Sequence, residues 1–105
     1  MYALGKIYRP GNLVVSIQIG DVLVSNVHID LGAAINVMTK KTMDQLGLVH
    51  IRPTPTVLEL ENRSKIKPEG VLDDVVVSLD SCEYPANFIV LQSKNHVGGN
   101  PLILG

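Results

Sequence analysis

The chain contains no tryptophan, one phenylalanine and one cysteine, Cys82. A single cysteine excludes an internal disulfide, which suits a reducing compartment. No apolar run approaches the ~20 residues that a helix needs to span a bilayer. Positions 1–10 carry Lys6 and Arg9 but no long apolar stretch, so they do not read as a secretory signal. Together these absences point to the cytosol or a cytosolic particle, with no membrane partner. Charge of one sign is also missing, since the formal net charge is −1. No broad field draws the chain to nucleic acid, and aromatics at 4% are too few for a base-stacking platform. His50 and His96 lie far apart, and with one cysteine they form no metal-ligand spacing. Gly98-Gly99 lacks the strand–loop–helix setting of a phosphate loop. Neither a metal nor a cofactor is expected.

What is present is an aliphatic sequence weighted toward Val and Ile, 46% hydrophobic and 18% charged, in 105 residues. That balance and length describe one globular domain. Branching at Cβ suits a pleated surface, so the expected class is mostly β. Leu13, Val15, Ile17 and Ile19 alternate with Val14, Ser16 and Gln18, which predicts a strand with one apolar face. Gly20-Asp21 turns the chain, and Val22 to Ile29 returns as a second strand with Leu23, Val27 and Ile29 of one parity. After an interruption at 30–34, Ile35 to Met38 resumes as a strand. Thr39 caps a short helix through Leu46, with Met43 and Leu46 on one face and Gly47 as its stop. Pro53 and Pro55 mark an extended connector. Further strands are expected at 57–61, 71–79, 82–91 and 101–104, with Pro85 marking an edge or bulge. The sum is about seven short strands and one helix, without a solenoid repeat or a domain boundary.

Asp30 ends an apolar strand and is followed by Leu31, Gly32 and Ala33. A carboxylate among Val27, Ile29, Ala33 and Ile35 is costly to bury unless it is paired or shifts its pKa. It therefore either caps a turn through backbone N–H groups or serves as a working acid or base. Other polar residues carry plainer readings. Cys82 reads as a buried or half-exposed structural thiol. His28 reads as a hydrogen-bonded or partly exposed strand histidine. Asp73-Asp74 reads as an exposed strand pair, since neighbouring strand residues point to opposite faces. Arg63, Lys65 and Lys67 alternate with Ser64 and Ile66 as a solvated charged face.

The hairpin followed by His28-Ile29-Asp30-Leu31-Gly32-Ala33, with Ile103-Leu104-Gly105 some seventy residues later, resembles the retropepsin-type aspartic proteases. The resemblance runs from about Leu13 to Gly105. Its wording is most similar to protease domains of plant retrotransposon polyproteins, including the helix Lys40 to Gly47 and Leu58-Glu59-Leu60. It implies a small closed β-barrel with one short helix, and a domain at 13–105 preceded by an N-terminal extension at 1–12. It implies that Asp30 is catalytic within the turn Leu31, Gly32 and Ala33, and that Ile103, Leu104 and Gly105 form the ψ-shaped crossing beneath it. Asn62, Arg63, Ser64 and Lys65 would be the tip of a flap over the substrate. The implied partners are a second copy of the chain, since each copy gives one Asp30, and an extended peptide. Leu31 stands where most members carry Ser or Thr, which implies a looser site and a weaker dimer. The family also continues past Ile-Leu-Gly with a helix and a dimer strand, so a chain ending at Gly105 is expected to lack both. These departures imply an alternative: an inactive binding or dimerisation module, or a retroelement relic.

Overall fold

The computed structural model describes residues 2–4, 13–29, 35–60, 63–92 and 102–105. Six strands close into a barrel in the order β2 (Leu13–Ile19), β3 (Val22–Ile29), β9 (Leu102–Leu104), β4 (Asn36–Thr39), β8 (Cys82–Leu91) and β7 (Gly70–Leu79). A second sheet of three strands sets β1 (Tyr2–Leu4) parallel to β5 (Leu58–Leu60), which is antiparallel to β6 (Lys65–Ile66). One helix, α1 (Lys40–Gln45), follows β4. The mostly-β barrel with one short helix is therefore the observed architecture. The strand β1 lies outside the sequence expectation, because it is three residues long and pairs with a segment far away, whereas β6 falls within the alternating charged face at 63–67.

Alternation explains β2: Ile17 and Ile19 are buried, while Val14, Ser16 and Gln18 face out. The same logic fails for β3. Val15 pairs with Val27 but Ile17 pairs with Val24, so β3 holds one extra residue at this point. Asn26 takes up the bulge with φ 60, a left-handed conformation that Asn tolerates better than most residues. The parity of β3 flips there. Val24 and Val27 both point inward, and Leu23, expected to share a face with Val27, is 65% exposed. A second bulge lies in β7, where Leu72 pairs with Phe88 but Val75 pairs with Ala86. Asp74 has φ 55 there, and its N–H donates to Asn87 Oδ1 at 2.9 Å. Asp73 and Asp74 are both exposed, as expected, but through this bulge rather than through simple alternation.

Strands with continuous apolar sequence are buried on both faces. Phe88, Ile89, Val90 and Leu91 are all buried, as are Leu102, Ile103 and Leu104. Leu102 and Leu104 join the barrel interior with Phe88, Val90, Met38 and Val27. Ile103 turns the other way, into a second cluster with Val37, Leu58, Val71, Ile89 and Leu91. That second cluster anchors the small sheet, because Leu58 is fully buried in it. Pro85 sits in β8 before the stretch that pairs with β4, where that edge has no partner among the described residues, so a missing N–H is tolerated there. Thr39 caps α1 by accepting from the Thr42 N–H at 3.2 Å, and Gly47 follows the helix with φ 73. Cys82 is exposed beside the β7–β8 turn, contrary to the buried or half-exposed expectation, because it sits at a strand end beyond the barrel interior.

Candidate active site

Asp30, Leu31, Gly32 and Ala33 lie outside the described residues, as does Asn62 of the expected flap tip. The elements on either side of residues 30–34 are described, and they are tied together by one strand. β9 runs parallel to β3, with His28 opposite Ile103 and Ile29 opposite Leu104. On its other edge β9 runs antiparallel to β4, with Val37 opposite Ile103 and Met38 opposite Leu102. The strands on either side of residues 30–34 are thus both paired to Leu102–Leu104. Ile103 and Leu104 thus lie between the two strands that flank residues 30–34, and Gly105 follows them.

Asn36, the first residue of β4, pins this arrangement. Its side-chain oxygen accepts from the Gly105 N–H at 2.9 Å, and its amide donates to the Asn87 carbonyl at 3.1 Å. One side chain therefore joins β4, β9 and β8. Sequence reasoning missed it, although a lone Asn inside Ile35-Asn36-Val37-Met38 is itself a signal. A polar side chain in an apolar run must find partners when it is enclosed.

Beside Asn36 and Gly105 opens a polar cleft of about 430 Å³, lined also by Arg52, Thr54, Thr56 and Asn87. Thr56 donates its N–H to Thr54 Oγ1 at 3.2 Å, which orders this wall. Arg52 Nη2 donates to Asp73 Oδ1 at 3.2 Å, and Nε bonds the second carboxylate oxygen. The side-chain hydrogen bond with Asp73 raises the Arg52 pKa, and the same bond holds the Asp73 carboxyl below its ordinary range. Both side chains are well exposed, so this pair is a surface fork. Backbone bonds between Arg52 and Val71 (3.0 and 2.8 Å) fix the wall against β7.

The described part of the expected flap is a hairpin. Leu58 pairs with Ile66 and Glu59 with Lys65, and Arg63 near its tip has φ 67. Arg63, Ser64 and Lys65 are exposed. His28 is half-buried at the end of β3, in keeping with a partly exposed strand histidine, and His50 is exposed. Among the described residues no group of three His, Cys, Asp or Glu side chains could hold a metal ion. No helix among them is long and apolar enough to cross a membrane.

No protein-family model and no curated protein matches the chain. Solved structures do match. The retroviral protease-like domain of Ddi1 from Leishmania major aligns with a TM-score of 0.64 at 24% identity, over 94% of this chain and 71% of that one. A retropepsin-like aspartic protease from Rickettsia conorii aligns with a TM-score of 0.62 at 20% identity, over 93% of this chain and 69% of that one. At these identities the likeness establishes the retropepsin-like fold.

Proposed function

We propose that the chain is one subunit of an aspartic endopeptidase that cuts extended peptides, with Asp30 from each of two copies forming the catalytic pair. The observation that carries this reading is the seating of Leu102–Leu104 between β3 and β4, the two strands that flank the Asp30 turn. In the proposed reaction the two carboxyls share one proton, because two carboxylates at close quarters do not both ionise. One acts as base toward a water that attacks the scissile carbonyl, and its partner gives a proton to the departing amine. Gly32 lets backbone N–H groups approach the carboxylate, and Ala33 fills the narrow space beside it. The hairpin tip from Asn62 to Lys65 closes over the substrate and excludes water. The substrate lies extended, hydrogen-bonded as a strand would be. The likeness of the sequence to plant retrotransposon proteases supports a retroelement polyprotein as the natural substrate and the cytosol or a cytosolic particle as the setting.

The test is cleavage of a denatured protein at mildly acidic pH, with new termini identified by mass spectrometry, by the chain and by its Asp30→Asn variant. The chain is expected to generate new termini and the variant none. Equal cleavage by both sinks the reading. Sedimentation over a wide concentration range accompanies the assay, since the proposed site needs two copies. A second reading rests on Leu31, which cannot supply the hydroxyl that most retropepsins place beside the catalytic acid. On that reading the fold binds an extended peptide or a second copy without turnover, and binding survives Asp30→Asn.

A further inference from the structure

A second cleft shares none of its described lining residues with the cleft beside Asn36 and Gly105. It is formed between the β2–β3 turn, the segment after α1 and the bulged part of β7, and its volume is about 610 Å³. β7 is paired with β8 along one edge from Gly70 to Leu79. On the other edge its described partners are β2 at Val77 and Ser78, and Arg52 at Val71. Between these points, Leu72 to Val76 has no strand partner on that edge among the described residues, and the same five residues wall the cleft. An unpaired strand edge inside a cleft is a template for an added strand.

The lining states which strand would fit. The floor is aliphatic, from buried Leu72 and Val75 and half-buried Leu48. At the rim Val49 is 71% exposed and Val76 52% exposed, so branched apolar surface is left to water. Asp21 and Asp74 also line the cleft and make no ion pair among the described residues, whereas Asp73 is held by Arg52. No Lys side chain lines the cleft, and its one imidazole, His50, is exposed. An added strand would turn alternate side chains toward the floor and toward the rim. Aliphatic residues suit the first set and basic residues the second.

We propose that this cleft is a docking site for an extended peptide segment of alternating aliphatic and basic residues, added as a strand along the open edge of β7. The unpaired carboxylates select that partner, since they repel an acidic segment and also a second copy presenting the same edge. The site shares no described lining residue with the cleft beside Asn36 and Gly105, and its occupancy does not depend on cleavage.

The experiment uses the Asp30→Asn chain, so that no probe is cut whichever way the catalytic reading falls. The probe is a fluorescein-labelled heptapeptide alternating valine and lysine, compared with one alternating valine and glutamate. Anisotropy titrations at low salt are expected to show saturable binding of the lysine peptide alone. Amide shifts in the ¹⁵N-labelled chain are expected at Asp21, Val22 and Leu72 to Val76. Combining Asp21→Asn with Asp74→Asn removes both charges, and Asn keeps the left-handed backbone at 74 accessible. That variant is expected to bind about fivefold more weakly, the sum of two exposed ion pairs. Equal binding of both peptides, or no binding, overturns the proposal. So do shifts confined to Asn36, Thr54 and Gly105, which would place the peptide in the other cleft. Concentration-dependent shifts at β7 without peptide would make the occupant a second copy instead.

Discussion

Gly70→Ala tests how firmly the wall beside the candidate site is held. Gly70 opens β7, opposite Val90 of β8, and is buried. A Cβ built there would lie 2.4 Å from the backbone oxygen of Arg52 and 2.7 Å from Cγ1 of Ile51. A side-chain tip could rotate away, but the Arg52 carbonyl cannot move alone. It accepts from the Val71 N–H at 2.8 Å, while the Arg52 N–H donates to the Val71 carbonyl at 3.0 Å. Relieving the clash therefore displaces the 51–52 segment and strains both bonds. Forcing one extra carbon into a packed position costs about 1–3 kcal/mol. Two weakened backbone bonds, each worth roughly 0.5–1.5 kcal/mol, bring the total to about 2–4 kcal/mol. For a domain of this size that lowers the melting midpoint by roughly 10–20 °C. The assay is thermal unfolding by circular dichroism, with Gly47→Ala as the control. Gly47 has open space around its Cβ position but φ +73, so its cost is purely conformational, about 1–2 kcal/mol. Amide exchange at Arg52 and Val71 should also accelerate in Gly70→Ala. A Gly70→Ala chain no less stable than Gly47→Ala would refute the argument that the wall is rigid.

Leu58→Ala, at a fully buried position that anchors the small sheet, is expected to cost about 2–5 kcal/mol in urea unfolding. A loss under about 1 kcal/mol would mean that the second cluster is not a packed core. Asn36→Ala removes the acceptor for Gly105 N–H and the donor to Asn87, and is expected to cost about 1–3 kcal/mol with faster exchange of the Gly105 amide. Unchanged exchange there would show that the bond does not hold the end of β9. The Arg52–Asp73 pair makes a pH prediction. Because Asp73 has a lowered pKa in the fold, its contribution is present above the ordinary carboxylate pKa, about 3.9, and is lost as pH falls through the folded value. Arg52→Gln should therefore lower the urea midpoint at neutral pH, and the gap to the parent chain should close in strong acid. A gap independent of pH would place the effect of Arg52 elsewhere.

The fold was legible wherever one face of a strand meets water. Ile17 and Ile19 against Val14 and Gln18 make β2 readable from alternation alone, and Thr39 with Gly47 brackets the helix within a residue of its observed ends. Reading failed where the chain departs from period two. Nothing in Ser25-Asn26-Val27 announces that one residue is extra, because a bulge is set by the partner strand. Only the left-handed tolerance of Asn26 and Asp74 marks both bulges in retrospect. The candidate site divides in the same way. Ile103, Leu104 and Gly105 could be found as an apolar strand ending in Gly, and the structure seats them beside the strands flanking Asp30. Arg52, Thr54 and Asn87 could not be linked to them, since the cleft they share is lined by segments 15 or more positions apart.

Burial alone cannot set the register of β9. Leu102, Ile103 and Leu104 are all apolar and all buried, with Ile103 facing one cluster and its neighbours the other. In β2 a slip by one residue would drive Ser16 and Gln18 inward, so the hydrophobic pattern enforces the pairing. In β9 the same slip exchanges one apolar side chain for another of similar volume, which cores tolerate at small cost. What a slip cannot preserve is the polar end. Gly105 N–H would leave Asn36 Oδ1, and the Asn36 side chain would sit at the cleft with its oxygen unmatched. A one-residue shift of β9 would displace Gly105 by about 3.3 Å along the sheet, too far to keep its hydrogen bond to Asn36. A single asparagine, rather than the hydrophobic core, therefore sets the register of β9 between β3 and β4.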